Sequence, residues 1–187
     1  MLDACNISSA VRTAVDLANT VRPVKGEDLL ETVEQLQDFL DGHSPEPAGP
    51  RRLTRTDLAE VRELRETVRA VLERASIDAA GAAALINDGL RRSGATPVLR
   101  HDRDRWWTEV VAGSGRCAAH LAATTLSALA SVIATHGPAR LGVCAGPACR
   151  GTFVDLSRNG SKQYCTRACA HRASVAAYRS RQSARLS

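Results

Sequence analysis

A chain of 187 residues has room for one ordinary domain and a small appendage. Hydrophobic residues make up 44%, enough for a real core, and aromatics only 3%, which excludes an aromatic-rich one; Leu, Val, Ile and Ala must fill it, and that composition favours close-set helices. The net charge of +5 is mild but lopsided: residues 140–187 carry nine basic side chains against one acid, Asp155, for a net +8, and residues 1–139 sum to −3. A slightly acidic body with a strongly basic end is the balance of a polyanion binder whose contact surface lies at one end.

The N-terminus "MLDACNISSAVRTAVDLANT" has an early acid and no apolar run, so it is read as no targeting signal. "EDLLETVEQLQDFLDGH" (27–43) predicts an amphipathic helix, with Leu29, Val33, Leu36 and Leu40 at helical spacing. "HSPEPAGPR" predicts a Pro/Gly loop. "LTRTDLAEVRELRETVRAVLERA" carries the strongest helical pattern: Leu58, Val61, Leu64, Val68 and Leu72 form a stripe, a threonine caps the start, and acid–base pairs occupy the outer face. A weaker helix runs through "DAAGAAALINDGLRRSG" to about Gly94. The period then changes. "ATPVLRHDRDRWWTEVVAGSG" predicts two short strands, a hairpin laid on the helices. A long helix follows from about Arg116 to His136, closed by Gly137 and Pro138. Its stretch "LAATTLSALASVIATHG" is broken by Thr and Ser, which argues against a bilayer span and places the protein in the cytoplasm. There thiols stay reduced, and clustered cysteines signify metal or redox chemistry. Cys5 and Cys117 stand apart and are read as small buried residues. The domain boundary falls near 139, with residues 1–139 as a helical domain and 140–187 as a separate module.

The remaining four cysteines form "CAGPAC", fifteen intervening residues, and "CTRAC". Two close pairs joined by a short loop suit one tetrahedral structural zinc held by Cys144, Cys149, Cys165 and Cys169. A redox dithiol pair or an iron–sulfur cluster are the other readings of this spacing. Between the pairs, Asn159-Gly160 is a hairpin signal. The stretch after Cys165 is helix-prone, so a knuckle, a hairpin and a helix whose first turn bears the last ligands would make a treble-clef-like module. Four thiolates close the site, which leaves His171 outside it and argues against zinc catalysis. The expected fold class is therefore α+β: a mainly helical N-terminal domain with a short β-hairpin, and a C-terminal treble-clef-like zinc finger.

The surface of that module carries Arg158 and Lys162 beside the turn and Arg167, His171, Arg172, Arg179 and Arg181 on the helix, the expected nucleic-acid contacts. Small residues between arginines suit close approach to a DNA groove.

"RLGVCAGPACRGTFVDLSRNGSKQYCTRACAHRASVAAYRSR" resembles the CGNR zinc finger, a C-terminal module of bacterial regulators. "AVDLANTV" and "LTRTDLAEVRELRETVRAVL" resemble the ABATE domain that precedes it. The resemblance implies a stress-induced transcription regulator whose finger binds DNA. The name-giving glycine and asparagine are replaced here by Ala170 and His171, which spares the zinc ligands and puts His171 where the family's asparagine stands.

Three functions follow from these readings. The first is a regulator binding double-stranded DNA on the nucleoid, with an N-terminal domain for a small-molecule effector or for homodimerisation. The second is an RNA- or ribosome-associated zinc protein. The third is a small-molecule enzyme, disfavoured because no paired carboxylates, phosphate loop or nucleophile–base pair is legible. Asp16, Asn19 and Thr20 in "DLANT", and His101, Trp106 and Trp107, are candidates to line a pocket, with capping and core roles preferred.

Overall fold

The computed structural model of the chain describes residues 4–43 and 52–186, and the side chains from 7 to 43 and from 52 to 182. The expected Pro/Gly loop and the side chain of Cys5 lie outside these. Among the described residues, six α-helices carry the fold: α1 (Ala4–Ala18), α2 (Val33–His43), α3 (Arg55–Arg74), α4 (Ala79–Arg92), α5 (Cys117–His136) and α6 (Arg167–Leu186). Three antiparallel two-stranded ribbons join them: β1 (Val21–Arg22) with β2 (Glu27–Asp28), β3 (Thr96–Asp102) with β4 (Arg105–Val111), and β5 (Leu141–Val143) with β6 (Thr152–Val154).

The stripe read on α3 is the core. Leu58, Val61, Leu64, Val68 and Leu72 are all buried, against Leu17 of α1, Ile86 of α4 and Leu126 and Leu129 of α5. The helix starts at a capping box: the amide of Asp57 donates to the Thr54 hydroxyl (3.2 Å) and the amide of Thr54 to the Asp57 carboxylate (2.9 Å). α5 lies against α1, α3 and α4. By length and composition it is apolar enough to cross a membrane, but its buried face, Leu121, Leu126, Leu129 and Val132, belongs to this core. Cys117 is buried at its start, as expected. The β3–β4 hairpin pairs Leu99 with Thr108 and His101 with Trp106, and rests on α5 through β4.

Two expectations need correction. The helix foreseen from Glu27 begins only at Val33. The Asp28 carboxylate accepts from the Leu30 amide (2.9 Å) and from Arg65 (2.6 Å), which holds 27–28 extended. A Thr32/Gln35 capping box then starts the helix, with Gln35 Oε1 accepting from the Thr32 amide (3.1 Å) and Thr32 Oγ1 from the Gln35 amide (3.3 Å). The basic members of α3 are also not all on its outer face. Arg65 is 4% exposed and Arg69 7%, because both guanidinium groups turn inward onto α1 and the chain after it.

Residues on either side of position 139 share one core. Leu141 and Val154 belong to the same buried cluster as Leu17 and Leu72, and β5 and β6 lie against α3, with β6 also touching α1.

Candidate metal centre

The hairpin of the C-terminal module forms across the first cysteine pair. Leu141 pairs with Val154 and Val143 with Thr152, so residues 144–151 are the loop between β5 and β6. The Cys144 amide closes that loop onto the Gly151 carbonyl (2.7 Å), and the Ala145 amide donates to Gln163 (2.9 Å), drawing in the chain that leads to Cys165. The hairpin foreseen around Asn159-Gly160 is instead a turn. Gly160 has φ +60°, and a Cβ there would stand 2.9 Å from the guanidinium carbon of Arg140. That guanidinium fastens the turn by donating to the carbonyls of Asp155 (3.3 Å) and Ser157 (2.5 Å). The strands chose each other across the knuckle because Leu141 and Val154 find the core there, whereas the flanks of Asn159-Gly160 are polar and exposed.

Cys144 and Cys149 come from the loop, Cys165 from the residues just before α6, and Cys169 from its first turn. Their sulfurs all lie within 4.8 Å of one another, with Cys149–Cys165 at 3.4 Å, Cys165–Cys169 at 3.6 Å and Cys149–Cys169 at 3.6 Å. A tetrahedron with Zn–S bonds of about 2.3 Å has edges of about 3.8 Å. The four sulfurs fit it. Donors for thiolate charge are already aimed: the amides of Gly146 and Gly151 point at Cys144 and Cys149 (3.4 Å each), and a guanidinium nitrogen of Arg172 stands 3.0 Å from the Cys169 sulfur. Gly151 suits this close approach, since a Cβ would stand 3.3 Å from the sulfurs of Cys149 and Cys165 and would crowd them.

As thiols, Cys149, Cys165 and Cys169 are shifted in different directions. Burial, then the neighbouring thiols, push Cys165 far up, and burial also raises Cys149. Cys169 is drawn down to about 7, first by the Thr166 hydroxyl, with burial opposing and the other thiols assisting. A bound cation reverses the unfavourable cases by turning thiols into thiolates, so metal binding here releases protons. With four sulfurs as ligands, one structural zinc has no open coordination position.

The predicted nucleic-acid contacts separate into groups. Arg158, Lys162, Arg167, His171, Arg172, Arg179 and Arg181 are all exposed, and His171 is not among the metal ligands. The Lys162 ammonium donates to the Val154 carbonyl (3.3 Å) and lies over the Phe153 ring (5.4 Å). Arg172, expected at a groove, reaches back to the metal centre. The one acid of the module, Asp155, is 3% exposed. Burial tends to raise its carboxyl, but hydrogen bonds from Ser157 and from the Lys162 amide (2.8 Å) hold it below the ordinary value.

Asn19, Arg69, Arg140 and Thr152, which build this centre from outside its ligands, were not singled out as parts of it from sequence. Only the polar "ANT" after an apolar helix end hinted at Asn19. The other pocket candidates disperse: Asp16 meets His43 (3.0 Å), Thr20 is buried beside Arg65, Trp106 is 64% exposed against His101, and Trp107 lies under Arg105.

Residues 11–136 match the family model of ABATE, described as "Putative stress-induced transcription regulator", and residues 140–182 match that of the CGNR zinc finger. Neither description names an enzymatic activity. Comparison with curated proteins finds no match. With two thirds of its length inside the first model and its four sulfurs set for zinc inside the second, the chain belongs to the ABATE family and carries a CGNR zinc finger.

Proposed function

We propose that the protein is a DNA-binding transcription regulator whose reading element is α6. The observation that carries this is the surface of that helix. Residues 167–187 contain five arginines and a histidine and no acid, and residues 176–182 are all exposed. At helical spacing Arg167, His171, Tyr178 and Arg181 fall on the side opposite Cys169, Ala173 and Ala176, so the metal side is small and the outer side basic. The module's single acid is buried, which leaves nothing on its exterior to offset that charge. A helix of this kind enters a major groove, with arginines on phosphates and guanine edges. Such a regulator works in the cytoplasm, on the nucleoid. The helical domain offers an open cleft of about 280 Å³ between α3, α4 and the start of α5, walled by Glu60, Glu63, Arg92 and Arg116, as the place for a small-molecule effector.

Fluorescence anisotropy of the full chain on duplex DNA and on RNA, zinc-loaded and after chelation, over a salt series, tests this. Zinc-dependent binding to duplex DNA with a steep salt slope is the expected result. Preference for structured or single-stranded RNA at equal salt would instead select the RNA-associated reading.

A further inference from the structure

Two side chains of the helical part end at the metal loop. Asn19, just past α1, lays its carboxamide along Thr152 as a strand would. Its Oδ1 accepts from the Thr152 amide (2.8 Å) and hydroxyl (3.2 Å), and its Nδ2 donates to the Thr152 carbonyl (3.0 Å). Thr152 is fully buried, so this one side chain satisfies both of its main-chain groups where water cannot. Between Thr152 and Cys149 lie only two residues. Gly151 gives its amide to the Cys149 sulfur, and a Cβ on it would stand 3.6 Å from Asn19 Oδ1 and 3.3 Å from two sulfurs. Arg150 is held at φ +52°, a left-handed conformation uncommon for arginine. Its carbonyl is taken by Arg69 (2.9 Å), which also takes the Ala18 carbonyl at the end of α1 (3.2 Å) and pairs with Glu73 (2.9 Å).

We infer that Asn19 and Arg69 are positioning residues of the zinc centre, and that through them metal binding and the stability of the helical domain form one coupled equilibrium. The clamp works in both directions. Asn19 and Arg69 fix the 149–152 backbone in the shape that aims the Cys149 sulfur and the Gly151 amide. When the loop is set, it in turn supplies partners to the half-buried Asn19 carboxamide and the buried Arg69 guanidinium. Linkage requires the same coupling free energy in each direction, so a helical domain that favours zinc is favoured by zinc. A finger that merely folded on its own and was tethered to the helices would need neither contact.

The test uses the full chain and two readouts. Zinc affinity is measured by competition with a chromophoric chelator. Stability of the helical part is followed by the fluorescence of Trp106 and Trp107, the chain's only tryptophans, both on β4 against α5. Asn19→Ala is expected to weaken zinc on the order of 10- to 100-fold, as loss of an outer-shell partner does. Thr152→Val, which keeps shape and loses one hydrogen bond, weakens it less and carries the comparison should Asn19→Ala fold poorly. Ile86→Val, in the core of α4, lowers the melting temperature and leaves zinc affinity unchanged. Zinc removal lowers the tryptophan-reported transition in the parent chain, and lowers it less in Asn19→Ala or Thr152→Val. Native zinc affinity in both clamp variants overturns the inference. So does a tryptophan transition that ignores zinc, or a zinc loss in Ile86→Val equal to that of the clamp variants.

Discussion

His43 donates from Nδ1 to the Phe39 carbonyl (2.7 Å) and from Nε2 to the Asp16 carboxylate (3.0 Å), an arrangement only the doubly protonated ring satisfies. The Asp16 hydrogen bond above all raises its pKa, against some burial and with help from Phe39. A raised histidine stabilises the fold fully below the ordinary value near 6.5, and that contribution is lost as pH rises through the raised value. Asp16 is half exposed, so the effect is small and screened by salt. Thermal melts at pH 5.5 and 8.5 are expected to show a modest loss at the higher pH that Asp16→Asn abolishes. Arg172 is the other residue whose role turned on local geometry. Arg172 is exposed, seven positions from Arg179, and one of its guanidinium nitrogens also reaches the Cys169 sulfur one turn before it (3.0 Å). Arg172→Ala is therefore expected to weaken zinc retention by roughly 10-fold, measured by chelator competition. An unchanged zinc affinity would show that its contact with Cys169 does not hold the metal. Cys169→Ser, which removes a ligand, loses the metal altogether.

Among the elements, α3, α4 and α5 were legible because apolar residues recur at helical spacing and the core then uses them, and the β3–β4 hairpin because Pro97, β-branched residues and two tryptophans break that period, although none of its residues is in the core. α2 was legible in its body and misread at its start, since the apolar spacing of Leu29 continues the helical pattern while Asp28 is bound elsewhere. That partner, Arg65, is 37 residues away, and no local pattern announces it. Burial raises the Asp28 carboxyl, but Arg65, the Leu30 amide and Arg62 together leave it below its ordinary value. The pair thus stabilises the fold above about pH 4 and is lost as pH falls through the depressed value. Asp28→Ala leaves the buried Arg65 guanidinium with only the exposed Glu66 carboxylate (3.1 Å) as its anion and is expected to cost about 2 kcal/mol in urea denaturation. Thr54→Ala removes one half of the α3 capping box and should cost about 1 kcal/mol by the same measurement. On α6, if the outer arginines meet phosphates, Arg167→Ala and Arg181→Ala should each reduce the salt dependence of DNA binding by about one unit of slope, with zinc content unchanged.

For the molecule as a whole, composition and spacing revealed the two ends and their chemistry, but not how closely they are joined. Four cysteines at metal spacing need only be read along the chain, because each pair lies within six residues. Asn19 and Thr152 are 133 residues apart, and Arg69 and Arg150 are 81 apart. Single polar contacts at such separations leave no periodic trace. The charge map, similarly, placed +8 beyond residue 139 but could not show that its one negative member is turned inward.

α6 has a mechanical consequence. At 20 residues it is a rod of about 30 Å, and residues 176–182, about two turns of it, are all exposed. Its aim is set where Cys169 enters the metal cluster, so it behaves as a pointer pivoted at one end. A tilt of about 10° at that pivot sweeps the tip by about 5 Å, on the scale of a helical pitch. Adjustments too small to break any bond at the sulfurs would thus decide where the arginines land.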